Sequence, residues 1–407
     1  MDFRLTTEQQ LFKASIREWL VKNLEPRARA IDEAEDGIPE DITEGMADLG
    51  IFGVTIPKEL GGCSVPGEES IYETIAIHEI ARADLSMSTP VYTLLTIGWS
   101  SIVNKYGTQR LRELVLPRVA EGRCFVGVST TESGGGSNLA NVQTQAVKQG
   151  DKYILNGEKV YISGPKECCT WGSPSGHCTL VRTDPSKGNK GMTFMYVEAN
   201  SPGVSFTTYT NMGRMGLSTG RLTYEDVEIP EWCVLGEENK GLYVNMDGFS
   251  SGRALVASAC LGGAEKGLEI SGEYTAQRYS FGKPLGKWEG ISFEMANDWM
   301  QLDMLKLNLQ RGAWMIGYES QHPGTFSRKD ISKVISTCKC LSSTLAIDIA
   351  RHGMIYHGAF GYTKETPLEM LLRGVMSYEV GAEGGLNIMR GIIAGSEWGD
   401  THSPFND

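Results

Sequence analysis

The chain has 407 residues, enough for two or three domains, and its composition of 41% hydrophobic and 22% charged residues is that of an ordinary globular protein. Its formal net charge of −12 disfavours nucleic acid and anionic membrane surfaces as partners, although a local basic pocket for a phosphate-rich ligand remains compatible with it. No run of about 18 apolar residues occurs, so no membrane span is expected.

Residues 1–122 are predicted to form an all-helical N-terminal domain. Thr6 and Gln9 have the spacing of a capping box, and the apolar residues Phe12, Ile16 and Leu20 follow at helical intervals. Further helices are expected at 40–50 and 69–83, and two more within 91–120, divided at Tyr106-Gly107.

Residues 123–236 have the pattern of a β-domain. Short segments rich in Val, Tyr, Thr and Phe alternate with Gly, Asn, Asp and Pro, which predicts a small barrel or sandwich. The expected strands are 124–130, 142–148, 152–156, 158–163, 178–183, 192–198, 204–209 and 221–229.

Residues 237–407 return to helical periodicity, in four long stretches at 241–278, 288–319, 327–354 and 367–393. Four such stretches predict a four-helix bundle. The order of helices, strands and helices indicates an α+β multidomain protein and argues against a doubly wound α/β fold.

Four motifs could carry chemistry. Three consecutive glycines follow Thr130-Thr131-Glu132-Ser133, where the backbone can approach a ligand closely. Residues 159–164 (KVYISG) end a strand with an aromatic and a hydroxyl that could stack on a flat ring and bond its edge. Residues 278–284 (RYSFGKP) place two cations and two aromatics at a helix end, which suits contact with a phosphate or a nucleotide.

The fourth motif is Glu383 beside Gly384 and Gly385, where a helix must loosen and a carboxylate can be aimed into a cleft. Taken singly, the glycine-rich segment and Glu383 are more often an ordinary loop and a cap or loop acid, and the other two motifs are equally compatible with a half-buried strand and a solvated helix end. No HExxH, GxSxG or Ser-His-Asp-like pattern is present, so hydrolase chemistry has no support.

The nine cysteines are odd in number and scattered, which favours a reduced, cytoplasmic protein, and no targeting leader is visible. Cys168, Cys169, His177 and Cys178 form the densest group of potential metal ligands. Their spacing is not that of CxxC pairs, so ordinary loop and strand cysteines are expected and no metal site.

Taken in order, these motifs resemble the acyl-CoA dehydrogenase family over essentially the whole chain. The matching elements are MDFRLTTEQQ at the N-terminus, Ile56-Pro57 with Gly61-Gly62, Thr131-Glu132 with Gly136-Ser137, Lys159 with Ile162-Ser163, Arg278 with Phe281-Gly282, Gly361-Tyr362 with Glu365 and Pro367, and Glu383-Gly384. The resemblance implies a flavoenzyme that holds FAD between the β-domain and the C-terminal helices, usually as a homotetramer.

The resemblance also assigns roles to single residues. Those expected to contact FAD are Ser129, Thr130, Thr131, Tyr161, Ser163, Gly358 and Gly385. Arg278 and Phe281 would reach the FAD of a neighbouring subunit. Ser137 would lie near the CoA pyrophosphate and Arg253 near the CoA end of the channel, and a backbone N–H at Glu383-Gly384 would bind the thioester oxygen.

By the same resemblance, Glu383 is the base that removes the α-proton while a hydride passes from Cβ to flavin N5. Some relatives carry the base on an earlier helix, at the position of Gly252, which cannot act. Because the segment before Glu383 is one residue longer than usual, Glu379 is the alternative base.

The substrate is less closely defined. The Gln that usually precedes the Gly-Gly pair is replaced by Ile355. Gly358-Ala359, in place of Gly-Gly, and Asn387 resemble the glutaryl-CoA and aromatic or dicarboxylic acyl-CoA branch, which includes benzylsuccinyl-CoA as a substrate, but the arginine that grips a distal carboxylate there corresponds to Ser88. A branched, cyclic, aryl-substituted or dicarboxylic acyl group is therefore expected. Two other arginines, at 214 and 221, could bind a carboxylate, yet solvated surface positions are expected for both.

Three functions remain open at the level of sequence. A dehydrogenase would pass its electrons to an electron-transfer flavoprotein. An acyl-CoA oxidase or a flavin monooxygenase of the same fold would react with oxygen instead. A non-catalytic acyl-CoA-binding scaffold belongs to another class and would need no flavin.

Overall fold

The computed structural model describes residues 4–404, so residues 1–3 of the N-terminal motif lie outside the described residues. The N-terminal region is helical, as expected. Its helices are α1 (Thr7–Asn23), α2 (Ala28–Ala34), α3 (Glu40–Asp48), α4 (Glu69–Ala83), α5 (Ser88–Tyr106) and α6 (Gln109–Ala120). The predicted capping box is confirmed, because Thr6 Oγ1 accepts from the Gln9 amide at 3.3 Å and Gln9 Oε1 accepts from the Thr6 amide at 3.0 Å.

The middle region is a seven-stranded mixed sheet with one short helix. Its elements are β1 (Val126–Ser129), β2 (Gln145–Gln149), β3 (Lys152–Ser163), α7 (Pro165–Trp171), β4 (Gly176–Arg182), β5 (Met192–Glu198), β6 (Val204–Thr208) and β7 (Thr219–Pro230). The strand order is β1-β4-β2-β3-β7-β6, and β5 pairs with the other side of β4. β1 runs parallel to β4, and β3 runs antiparallel to both β2 and β7.

The structure corrects the predicted strands at one place. Two strands were expected on either side of Asn156-Gly157, but β3 continues through both as a single strand. Gly157 has φ 142 and lies where a register shift against β7 interrupts the pairing. A Cβ there would approach the Thr144 Cα to 2.8 Å, so this glycine makes a bulge rather than a turn.

The C-terminal region is again helical. Its elements are α8 (Gly241–Gln277), the two-residue strands β8 (Tyr279–Ser280) and β9 (Lys283–Pro284), α9 (Glu289–Gln321), α10 (Arg328–Tyr356), α11 (Leu368–Val380) and α12 (Leu386–Trp398). α10 packs against α8, α9, α11 and α12. The stretch predicted at 367–393 is two helices, α11 and α12, separated by a glycine-containing loop.

The three regions share a core around Trp99 on α5, which is 2% exposed. Its ring centre lies 5.9 Å from that of Phe194 on β5 and 5.7 Å from that of Phe249 on α8. Gly248 on α8 makes room for the indole, since a Cβ there would approach it to 2.4 Å. The helix–sheet–helix architecture expected from the sequence is confirmed, and no helix within residues 4–404 is long and apolar enough to cross a membrane.

Candidate active site

Glu383 lies on the five-residue loop that joins α11 to α12. Its backbone is left-handed, with φ 50, and the next residue, Gly384, has φ 100. The Gly384 amide donates to the Gly381 carbonyl at 3.0 Å and closes a tight turn. A side chain in this backbone region is uncommon and is held there only by its surroundings. The turn directs the Glu383 side chain into the protein, where the residue is 8% exposed.

Two buried cations hold this loop by its carbonyl oxygens. Arg253 on α8 donates from Nε to the Glu383 carbonyl at 3.1 Å, and Lys339 on α10 donates from Nζ to the Gly384 carbonyl at 2.6 Å. Burial lowers the pKa of Arg253 to about 10 and also lowers the pKa of Lys339. The two residues therefore fix the backbone of the loop and leave the Glu383 carboxylate free.

The carboxylate itself is a buried, unpaired acid. Within residues 4–404 it accepts no hydrogen bond and has no Lys or Arg nitrogen within 4.0 Å. Burial raises its pKa, and three more distant cations oppose that rise only in part. These cations are Lys339, Arg253 and Arg214. A desolvated glutamate with a raised pKa is a stronger base than one in water, as proton abstraction from carbon requires.

Residues 252 and 379 are the two alternative positions for the base, and they have different surroundings. Gly252 faces Glu383 so closely that a Cβ on it would lie 2.8 Å from the Glu383 Cγ. An acidic side chain at 252 would therefore compete with Glu383 for one space. Glu379 on α11 is half-buried and accepts a 3.4 Å hydrogen bond from Thr344 Oγ1 on the face of α10.

The end of β1 and the middle of β3 lie side by side. The Val160 amide donates to the Thr131 carbonyl at 2.9 Å, and Ser129 Oγ lies 3.2 Å from Tyr224 Oη on β7. Lys159 Nζ donates to the Thr130 carbonyl at 3.2 Å. The backbone that follows β1 is thus fixed beside β3.

A buried ion pair fixes the start of the glycine-rich loop. Lys159 is fully buried and its Nζ lies 2.8 Å from Glu132 Oε1. The Glu132 carboxylate also accepts from the Thr144 amide, the Thr144 hydroxyl and the Gln143 amide at 3.0, 2.6 and 2.7 Å. Lys159 and Glu132 are therefore structural, and the exposed glycines 134–136 extend from a rigid base.

Tyr161 and Ser163 face the same region from β3. Tyr161 has φ 58 and is 70% exposed, and the ring of Tyr209 lies tilted by 38° beside it, with 5.4 Å between ring centres. Ser163 Oγ accepts from Arg214 Nη1 at 3.0 Å. The same arginine acts on the pKa of Glu383, so it connects the β3 motif to the loop between α11 and α12.

The position of Arg214 corrects the sequence prediction of a solvated surface residue. It is half-buried, and burial lowers its pKa. Its backbone is left-handed, with φ 49, a property it shares with Tyr161, Phe281 and Glu383. Arg221, in contrast, is exposed as expected and forms an ion pair with Glu158 at 3.2 Å.

Other predicted site residues are exposed, and one of them lies far from the Glu383 loop within this chain. Arg278 ends α8, about 38 Å along the helix from Arg253 at 1.5 Å per residue. Both Arg278 and its neighbour Phe281 are exposed, the latter by 93%. Gly358, with φ 61, is exposed after α10, and Ser137 is exposed in the glycine-rich loop.

Ser88, which replaces the expected arginine, lies in a buried polar network. Its Oγ donates to Asp32 Oδ1 at 3.1 Å and accepts from the Gly216 amide at 3.1 Å. The cysteine group shows only one close contact, between Cys168 Sγ and His177 Nδ1 at 3.7 Å. Within residues 4–404, no group of three or more His, Cys, Asp or Glu side chains is arranged to hold a metal ion.

Comparison with known proteins identifies the family. Models of the N-terminal, middle and C-terminal domains of acyl-CoA dehydrogenases match residues 6–123, 127–227 and 239–397. The chain is 31% identical to an acryloyl-CoA reductase (NADH) of Anaerotignum propionicum over 97% of this chain and 95% of that one. The chain belongs to the acyl-CoA dehydrogenase family. It is therefore an oxidoreductase of a flavoprotein family that acts on acyl-CoA.

Two further acyl-CoA dehydrogenase relatives extend this comparison. The chain is 28% identical to the caffeyl-CoA reductase–Etf complex subunit CarC of Acetobacterium woodii, over 95% of this chain and 97% of that one. The solved structure of butyryl-CoA dehydrogenase from Megasphaera elsdenii superposes with a TM-score of 0.87 at 27% identity, over 97% of this chain and 99% of that one.

Proposed function

We propose that the protein catalyses FAD-dependent α,β-dehydrogenation of an acyl-CoA thioester to the 2-enoyl-CoA, with Glu383 as the base. The observation that carries the proposal is the Glu383 carboxylate, which is buried, unpaired and set on a left-handed turn fixed by Arg253 and Lys339. An α-C–H is a very weak acid, so its removal requires a desolvated carboxylate in a fixed position.

The residues around β3 fit a flat, polar-edged cofactor. Tyr161 extends its ring away from the sheet on a left-handed backbone, where a second flat ring can cover it. Ser163 Oγ accepts from Arg214, so its own hydroxyl proton is free for another acceptor. Ser129, Thr130 and Thr131 end the adjacent strand with backbone and hydroxyl groups.

When bound there, FAD would supply the acceptor for the hydride that leaves Cβ. The protein supplies the geometry: Glu383 takes the α-proton, and its own backbone amide faces the thioester oxygen, because the Gly384 amide already donates to the Gly381 carbonyl. A backbone N–H at that point stabilises the enolate as in an oxyanion hole. Gly385, which precedes the first residue of α12, adds a backbone contact on the same side.

A homotetramer explains the distant predicted residues. Because Arg278 and Phe281 are exposed about 38 Å along α8 from Arg253, they serve a second copy better than their own site. Gly358 is exposed at the same end of the bundle as Arg278, because the neighbouring His357 stacks on Tyr274 of α8 with 3.8 Å between ring centres, and it fits the same role. Ser137, on the exposed glycine-rich loop, would meet the CoA pyrophosphate.

The physiological electron acceptor is proposed to be an electron-transfer flavoprotein. The support is the relative named as a subunit of a caffeyl-CoA reductase–Etf complex. Two relatives are named reductases, and reduction of the enoyl-CoA uses the same base and hydride in reverse. The acyl group is branched, cyclic, aryl-substituted or dicarboxylic.

The test is anaerobic titration of the FAD-loaded protein with straight, branched, alicyclic, aryl and dicarboxylic CoA esters. Bleaching of the flavin absorbance by at least one ester is expected, with the enoyl-CoA as product. Fast peroxide formation under air would indicate an oxidase instead. A protein that neither binds FAD nor bleaches with any ester would be the non-catalytic scaffold and would contradict the proposal.

A further inference from the structure

Arg214 is a half-buried cation without a carboxylate partner. Within residues 4–404 its one hydrogen bond is the 3.0 Å donation from Nη1 to Ser163 Oγ, and no Asp or Glu oxygen lies within 4.0 Å of it. A guanidinium has five N–H donors, and buried charges in proteins are ordinarily paired. The unused donors of Arg214 therefore suit an anion that is not part of the chain.

Three cations act on the single carboxylate of Glu383, so the site has an excess of positive charge. Arg253 and Lys339 are committed to loop carbonyls, whereas Arg214 is bound only to a neutral hydroxyl. The nearest carboxylate that acts on Arg214 besides Glu383 is Glu167, which is already occupied by the amide and hydroxyl of Ser218. The excess positive charge is complementary to an anionic ligand.

Tyr378 supplies an independent observation at the same place. Its side chain is fully buried on α11, and its Oη has no hydrogen-bond partner in the described structure. The charges of Arg214 and Glu383 both act on this phenol. A buried hydroxyl without a partner is costly, so a ligand acceptor between Tyr378 and Arg214 would remove that cost.

The loop that carries Arg214 is wedged in place. A Cβ on Gly213 would lie 2.4 Å from the Arg373 carbonyl oxygen, and a Cβ on Gly216 would lie 2.8 Å from the Ile31 carbonyl oxygen. Neither glycine could carry a side chain without a clash with α11 or α2, and Arg214 between them has a left-handed backbone, φ 49. The guanidinium is thus preorganised, as a recognition group should be.

We propose that Arg214, assisted by the Tyr378 hydroxyl, binds the second carboxylate of a short dicarboxylic acyl-CoA. This inference rests on the proposed function and narrows its substrate class. Arg214 bonds Ser163 on β3 and lies close enough to Glu383 for its charge to act on that carboxylate, so it would face an acyl group held between these two residues. The bidentate fork of an arginine matches a carboxylate, and no neutral acyl chain could use it.

The experiment compares glutaryl-CoA with pentanoyl-CoA, which have the same carbon number and differ in the terminal carboxylate. Their dissociation constants are measured by calorimetry with FAD-loaded Glu383→Gln protein, in which turnover is blocked. Glutaryl-CoA is expected to bind at least about tenfold more tightly, as a charge-assisted hydrogen bond provides. Equal affinity for the two esters would overturn the proposal.

Variants in this background assign the preference to one residue. Arg214→Gln keeps an N–H donor for Ser163 but removes the charge, so the preference for glutaryl-CoA should disappear while pentanoyl-CoA binds as before. Arg214→Lys should keep part of it, and the exposed control Arg221→Met should keep all of it. Equal weakening of both esters by Arg214→Gln would mean a structural role only and would contradict the proposal.

The carboxylate-binding proposal and the proposed dehydrogenation can fail independently of each other. Flavin bleaching of protein with Glu383 intact by pentanoyl-CoA, without any carboxylate preference, would overturn this inference and leave dehydrogenation in place. If the protein instead preferred the carboxylate ester through Arg214 but no ester bleached its flavin, the inference about Arg214 would stand and the proposed dehydrogenation would be overturned. Thermal unfolding and FAD absorbance of each variant identify any that fail to fold, and Arg214→Lys then carries the test.

Discussion

A Cβ atom on Gly252 would lie 2.8 Å from the Cγ of Glu383, which is closer than real Cβ atoms approach. At this point the backbone of helix α8 lies directly against the Glu383 side chain, with no side chain between them. Glu383 can therefore occupy its position only because residue 252 has no side chain. The same glycine also removes the alternative base that some relatives carry there.

Gly252→Ala should consequently slow the reaction without loss of FAD. The added methyl group must displace the Glu383 side chain, and a displacement of about 1 Å costs on the order of 100-fold in rate. Rapid-mixing measurement of flavin bleaching gives the rate. Gly272→Ala on the same helix is the control, because its Cβ would meet only Met295 Cε at an ordinary 3.7 Å. An unchanged rate in Gly252→Ala would contradict the assignment of this contact.

Lys339→Met should move the acidic limb of the pH–rate profile to higher pH. Glu383 acts as a base only when deprotonated, so kcat/KM rises with pH through its raised pKa. Lys339 opposes that rise, and removal of its positive charge must raise the pKa of Glu383 further. Lys333→Met, which removes an exposed partner of Glu397, should leave the limb in place. A limb that stays fixed or moves to lower pH in Lys339→Met would count against this electrostatic account.

Lys159→Met should destabilise the middle region by about 3–5 kcal/mol, because it leaves the buried Glu132 carboxylate without its cation. Lys152→Met on the same strand removes an exposed pair with Glu228 and should cost less than about 1 kcal/mol. Urea unfolding of both variants measures the difference. Equal losses of stability would show that the Lys159–Glu132 pair does not fix the loop.

Tyr161→Ala should weaken FAD binding by about three- to tenfold, the effect of losing one stacked aromatic contact. Tyr161→Phe keeps the ring and should bind FAD as the parent protein does. Fluorescence titration of the flavin-free protein gives both dissociation constants. If Tyr161→Ala binds FAD with unchanged affinity, the exposed ring on β3 is not a flavin contact.

The architecture was predictable because local signals agree with the fold. The Thr6–Gln9 capping box and the glycines beside Glu383 marked a helix start and a helix break from the sequence alone. α7 was missed because seven residues beginning with Pro165 are too few to show helical periodicity. Gly157 was misjudged because its conformation depends on Thr144, a contact between strands that sequence spacing does not reveal.

Arg214 shows the same limit at the site. As a single arginine in a polar loop it has the sequence signature of a surface residue. Its half-buried position follows from the contacts of Gly213 with α11 and of Gly216 with α2, elements more than 150 residues away in each direction. The flanking glycines were the one available signal, and their meaning emerges only when the neighbouring helices are in place.

The most direct test of the account is anaerobic addition of an acyl-CoA that bleaches the parent protein to FAD-loaded Glu383→Gln, with Glu379→Gln as the matched control. The account predicts that Glu383→Gln keeps its FAD and its thermal stability but that its flavin stays oxidised over the time in which the parent bleaches completely. Glu379→Gln should bleach at the parent rate. Bleaching of Glu383→Gln at the parent rate would contradict the assignment of Glu383 as the base.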